Sequence, residues 1–567
     1  MEANANILPN DILFATFSAA NDAAILLFEL IQAKASPPNL VSDGNSIGFE
    51  LSLPVTSDHH DSSGSDTGSE TSSDTGLGSD RLEWKIGAGA SPAMVDKGLV
   101  QNNPQIVLCP PGTSPASQAV RKYIKDFHAS IYVHAKSGVL MLKAICDRPM
   151  IYEQGDMHDN DLELGLGKWG DGISCVLRRE KNYINIGPYR FLLKYATQSR
   201  KTYHSFTAHI NDCVKSAYHG LVPSSLFNFI PMASPYNKTR WNVWLHQQIP
   251  TTDVTTGVNI YTGQPVAIKM LRNRDLIHAR QRIVNLLQMA LHNQNKQDSG
   301  ILGIIDVWCD HQTSPPCLFD APGNHPLTEC RCIYYSMPLA SYNFLNLPWS
   351  KLAADMRLLY LHQTLLGLAE LHGQGLVHGN IRPGSLLILG DTTRKLRLNT
   401  KTLATQKVVL SLSMSQIDKK MFHRTSICVA PEVWQNGGAT AELDRTKLDI
   451  WALASSWLYA FATPKHGNIV TSDTHRRLQG HLGKISEVYH HLAPFTALLR
   501  KMLAWDPQDR PTVTEALASD AWQLVWTEKQ KDEDKKKQKR KAKMQSDGAK
   551  RVRVLSPQEQ DYRVFEP

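Results

Sequence analysis

The residues best suited to chemistry gather around one loop. Between Leu376 and Leu389 an apolar lead-in reaches His378, a turn broken by Pro383 follows, and an apolar strand closes the stretch. Its polar side chains include His378, Asn380, Arg382 and Ser385 but no carboxylate, so the loop offers no acidic general base. Asp391 is the nearest acid, and it sits in a β-turn between Leu389 and Leu396. Upstream, Lys269 ends the apolar run Val266-Ala267-Ile268. A second cluster, Cys309, His311, Cys317, His325, Cys330 and Cys332, holds zinc-ligating residue types. Its spacing fits no paired C-x-x-C pattern, and the region reads as a strand hairpin with a long loop.

The elements that must position these groups follow from the pattern along the chain. At 567 residues there is room for two or three domains, and 42% apolar with 20% charged residues is the balance of a soluble globular protein. The net charge of +8 is uneven. Residues 57–80 are acidic and Ser-rich, while 529–553 are strongly basic, so the charge reports a tail and not a nucleic-acid-binding fold. Nine cysteines without regular spacing read as reduced thiols. Neither a signal peptide nor a membrane span is expected. Residues 1–35 are read as one amphipathic element and 36–80 as a linker unable to bury enough apolar surface to order itself.

From Leu82 short apolar runs recur between turn signals: 82–86, 105–108, 129–133, 139–142, 173–177, 184–187 and 189–195. Many short strands at this spacing predict a β-sandwich. The run Trp84-Lys85-Ile86-Gly87, the stretch Phe127 to Ile131 and the stretch Ile184 to Phe191 make residues 82–196 resemble a forkhead-associated domain. That resemblance implies phosphothreonine recognition by loop residues. Here Ala88 stands in place of the first-loop arginine, and Lys125-Asp126 in place of Ser-Arg. Asp126 would repel a phosphate, with Lys125 and Arg121 as partial compensation, and His128 is implied to be structural. Residues 197–235 read as a connector with a helix over 204–217.

Residues 236–527 resemble a protein kinase domain. The motifs are Val266-Ala267-Ile268-Lys269, the loop at His378, Ala430-Pro431-Glu432, Leu448 to Ala454 around Asp449, and Arg510-Pro511-Thr512. The fold class expected is therefore α+β multidomain, a forkhead-associated-like β-sandwich followed by a bilobal protein-kinase-like fold. Relatives that pair these two domains are fungal checkpoint-type kinases. The resemblance implies that Glu432 pairs with Arg510 and that Asp449 caps amides of the loop. It also implies that Ala267 and Leu387 would flank an adenine and Lys269 would reach its phosphates.

Where the family has its catalytic Asp and its magnesium-binding Asn, this chain has Asn380 and Ser385. Residues 247–256 contain no glycine for a phosphate loop, and 276–294 contain no acid to pair with Lys269. The magnesium-binding Asp-Phe-Gly is expected near Thr400 and Lys401. Magnesium is not expected, and no resident cofactor is required; weak metal-independent ATP binding through Lys269, Ala267 and Leu387 stays open. The expectation is a pseudokinase scaffold. An active Ser/Thr kinase and a phosphopeptide adaptor through 82–196 are the alternatives. Partners are expected to be proteins, among them phosphoproteins or another kinase, with no membrane. Nucleic acid is expected to meet only the basic tail, 528–567, which reads as a nuclear localisation signal.

Overall fold

The computed structural model describes residues 11–35, 37–42, 46–54, 82–90, 103–154, 161–167, 172–196, 208, 239–249, 252–272, 280–292, 299–310, 332–389, 407–412, 426–435, 443–461, 471–488 and 490–523. The chain divides into two compact units. The first contains every strand up to residue 338, and the second contains residues 295–302, the strands and helices from 341 to 389, and everything from 406 onward. The division therefore cuts through the stretch 236–527.

Twelve strands build the sandwich: β1 (Asp11–Ala19), β2 (Leu40–Ser42), β3 (Ile47–Pro54), β4 (Glu83–Gly87), β5 (Ile106–Val107), β6 (Ala129–Val133), β7 (Leu140–Ala144), β8 (Met150–Glu153), β9 (Leu162–Leu164), β10 (Ser174–Val176), β11 (Lys181–Ile186) and β12 (Tyr189–Tyr195). One sheet runs β2-β3-β1-β12-β11-β8-β9 and the other β10-β7-β6-β4-β5. Alternation explains the packing. On β11 and β12 the buried residues Ile184, Ile186, Phe191, Leu193 and Tyr195 fall at every second position, as one buried face requires. Phe14 meets Trp84 at 4.9 Å between ring centroids, joining the two sheets face to face.

The N-terminal segment differs from expectation. Residues 1–35 hold a strand, β1, and a helix, Asp22–Lys34, whose Asn21 cap accepts the Ala24 amide at 3.0 Å. The stretch read as a linker contributes β3, which pairs with β1 across a register shift between Leu13 and Ala15, and β2, which pairs with β3. The signal was the period-two run Ile47, Phe49, Leu51, Leu53, all buried, which the acidic Ser-rich composition beside it outweighed. The helix expected over 204–217, the acidic run 57–80 and the basic tail lie outside the described residues, apart from residue 208.

Six further strands, β13 (Thr239–Arg240), β14 (Val243–Gln248), β15 (Val254–Asn259), β16 (Pro265–Arg272), β17 (Asp306–Cys309) and β18 (Cys332–Pro338), form an antiparallel sheet ordered β13-β14-β15-β16-β18-β17. A helix, Arg280–His292, completes this part. The second unit is mainly helical around Ala354–Gly373, where Leu358, Leu361, Leu365, Leu368 and Leu371 bury one face at helical spacing. A short sheet, β19 (Tyr342–Asn343), β20 (Leu386–Leu389) and β21 (Lys407–Leu410), lies in the same unit.

Candidate functional site: an internally tied kinase-type loop

In the helical unit the loop before β20 is held from within. Asp449 sits on the helix Arg445–Trp457 with 1% of its surface exposed. Its carboxylate accepts the amides of His378 and Gly379, each at 2.8 Å, and lies 3.1 Å from His372 Nε2. Gly379 has φ +71°, a left-handed conformation that a side chain would strain. His378 is buried; its Nδ1 accepts the Asn380 amide at 3.2 Å, which leaves Nε2 to donate to Ser411 O at 3.0 Å. The partners assign that tautomer.

Ser385 is bound into the same loop. Its hydroxyl accepts the Arg382 amide at 2.9 Å and donates to Arg382 O at 2.8 Å. Burial depresses the basicity of the Arg382 guanidinium. Leu387, the second residue of β20, is half-buried and pairs with Asn343 and Val409.

Thr400 and Lys401 lie outside the described residues. The strand that pairs with β20 is β21, and the residues leaving it beside the loop are Ser411 and Leu412. Ser411 N donates to Ser385 O at 2.8 Å, and Leu412 is buried. Cross-strand register, and not distance along the chain, decides which residue emerges there. A polar residue just after the run Val408-Val409-Leu410 was the signal for it.

These groups do not fit a magnesium ion, which is held through carboxylates. Ser385 Oγ is engaged by its own loop in both directions, and both Asp449 oxygens accept amides. Among the described residues no group of three or more His, Cys, Asp or Glu could hold a metal. Of the candidate zinc cluster, Cys309 and Cys332 lie on the paired strands β17 and β18, and the residues 311–331 between them are outside the description.

Glu432 and Arg510 do meet. The guanidinium donates to both carboxylate oxygens, at 2.5 and 2.8 Å, and its remaining N–H groups reach Ala504 O at 2.9 Å, Trp505 O at 3.2 Å and Lys447 O at 3.3 Å. Every donor of this fully buried fork is satisfied, and it stacks 4.9 Å from the Trp451 ring.

Lys269 and Ala267 lie in the other unit, both on β16. Ala267 is buried and Lys269 half-buried, opposite Val254 on one side and Tyr335 on the other. The helix Arg280–His292 presents no acidic residue, and Gln288 on it is exposed.

The loop end of the sandwich shows the same inward turn. Arg121 donates to Asp126 Oδ1 at 2.6 Å and also to the carbonyls of Gly89 at 2.9 Å, Ala90 at 3.0 Å and Ala88 at 3.3 Å. Lys125 stands 3.8 Å from Asp147, both exposed. His128 is fully buried, accepts the Lys125 amide on Nδ1 at 3.3 Å, and is pushed down to about 4 by burial and by Arg148. It is a structural histidine.

Residues 251–522 match the family model of the protein kinase domain. By that match residues 251–522 are a protein kinase domain. Serine/threonine-protein kinase PLK1 of Xenopus tropicalis is 26% identical over 160 residues, which is 28% of this chain and 24% of that protein. The chain thus aligns with about a quarter of that relative's length. Among solved structures, the crystal structure of Rad53 1-466 in complex with AMP-PNP aligns with a TM-score of 0.41 at 14% identity, over 79% of this chain and 92% of that one.

Proposed function

We propose that this chain is a pseudokinase, a protein-kinase-fold scaffold that engages other proteins in phosphorylation-dependent signalling and does not itself transfer phosphate. The observation that carries the reading is Ser385. Its hydroxyl stands where the family binds magnesium, and it is bonded both ways to Arg382. Ser411, leaving β21 beside the loop, takes the position of the second metal ligand, and Asn380 that of the base. Phosphoryl transfer rests on positioning and charge neutralisation, so loss of base, metal ligands and glycine loop together removes it. The Ser/Thr kinase named among the relatives supports a protein partner, and pairing with a forkhead-associated-like sandwich supports a checkpoint-type setting. In the sandwich Arg121 is committed to Asp126, which disfavours phosphothreonine recognition there.

Incubation of the purified chain with magnesium-ATP tests the reading, followed by transfer of label to itself and to a generic acceptor and by thermal shift. No transfer and no shift are expected. Transfer that Lys269→Met abolishes would sink it. The basic segment 529–553 is assigned as a nuclear import signal. A fluorescent fusion lacking 535–543 should leave the nucleus, and unchanged distribution refutes the assignment.

A further inference from the structure

The smaller sheet of the sandwich has an outer face that is not built for water. An antiparallel sheet packed on one side normally alternates apolar and polar residues. Along Val139-Leu140-Met141-Leu142 there is no alternation. Leu140 and Leu142 enter the sandwich core, while Val139 and Met141 belong to a different buried cluster and are 0% exposed. Val176, on the edge strand β10, joins them.

What covers this face is the six-stranded sheet. Trp244, Val258 and Ile260 complete the cluster, with Leu339 packed at its margin. Polar bonds frame it. Val176 N donates to Ile260 O, Ser174 Oγ to Tyr261 O and Ser137 Oγ to Gly263 O, each at 2.7 Å. The first of these occupies a backbone N–H that the edge strand β10 would otherwise present unpaired. Gly263 has φ +69°, and a Cβ there would stand 2.8 Å from Met141 Sδ, so the turn can seat this deeply only as glycine.

Register identifies the face of the sheet involved. Val258 lies opposite Trp244, Thr256 opposite Ala267 and Val254 opposite Lys269. Residues two apart share a face, so Val258 and Trp244 are on the side that carries Ala267 and Lys269.

We propose that the β-sandwich is a built-in partner of the kinase-type small sheet, seated on the face that carries Ala267 and Lys269, with the turn 260–264 as the latch that makes the two one cooperative body. The inference deepens the scaffold reading and rests on it for the meaning of that face. The small sheet is moored to the sandwich and does not move independently of it.

Hydrogen–deuterium exchange on the full chain without nucleotide tests the latch. Segments 174–178 and 256–262 should exchange slowly, and Met141→Asp, which places an unpaired charge in a dry contact, should accelerate both about tenfold or more. Segment 184–193, in the opposite sheet, should be unchanged. Slow exchange unaffected by Met141→Asp, or wild-type exchange as fast as an open loop, overturns the proposal. If Met141→Asp also loosens 184–193, Ser137→Ala decides: a rise confined to 256–264 supports the latch and no rise refutes it. Phosphate transfer by the wild-type chain would sink the scaffold reading and leave these rates untouched.

Discussion

The loop before β20 and the loop end of the sandwich have no sequence in common, yet both turn inward the side chains that would face a ligand. Ser385 bonds to its own loop; Arg121 bonds to Asp126 and three carbonyls. They differ in depth. Asp449, which anchors the first loop, is 1% exposed, whereas the Arg121 and Asp126 side chains are 21% and 37% exposed. Water can take over the partners of the second network but not of the first. The first should therefore behave as part of the fold and the second as a replaceable surface tie.

That contrast breaks most readily at the deepest pair. Arg510→Ala leaves Glu432 buried without its cation and should cost about 3–5 kcal/mol, enough to lose a cooperative thermal transition of the helical unit. Arg510→Lys should recover only part, because a single ammonium cannot make the paired contact. Asp449→Asn weakens charge-assisted bonds to two loop amides and should cost about 2 kcal/mol in denaturant unfolding. A loss below about 0.5 kcal/mol would put the anchor elsewhere.

Acid sharpens the comparison within the first unit. His128 and His134 are held at about 4 by burial, with Arg148 and Lys125 acting in the same sense on His128, Asp147 opposing, and Lys136 acting on His134. Unfolding restores both toward 6.5, so the unfolded chain binds more protons between those values. Stability should be level above about pH 6.5 and fall as the pH drops toward 4, by about 1–2 kcal/mol per histidine at pH 5. Melting curves at pH 7 and pH 5 check this, and His134→Gln should remove a share of the difference.

Ser385→Ala should cost about 1 kcal/mol, the worth of a loop hydrogen bond, and change no phosphotransfer. The smallest effect is expected for Arg121→Ala, below about 1 kcal/mol, with no loss of phosphothreonine peptide binding because none is expected to begin with. Peptide binding that this variant abolishes would make the two loops functionally unlike.

Much of the site was legible in the chain. Asp449, Glu432 and Arg510 take the partners that the family resemblance implied, Asp449 the amides of His378 and Gly379 and Glu432 the Arg510 guanidinium. The strand at 189–195 follows from alternation, with Phe191, Leu193 and Tyr195 buried, whereas 129–133 is buried at four of its five positions. Ile47 to Leu53 shows the limit: the same alternation was present, but composition averaged over a longer window hid it.

The sequence by itself determined which residue types stand at the motif positions, among them Asn380, Ser385 and a glycine-free 247–256. Tertiary structure alone decided where the remaining polar groups are spent. Pairing of β20 with β21 put Ser411 beside the loop, and the second buried face of Val139 and Met141 exists only because another sheet covers it. Residue type fixes what a side chain can do, but register and burial depend on partners far along the chain, and those are chosen by packing.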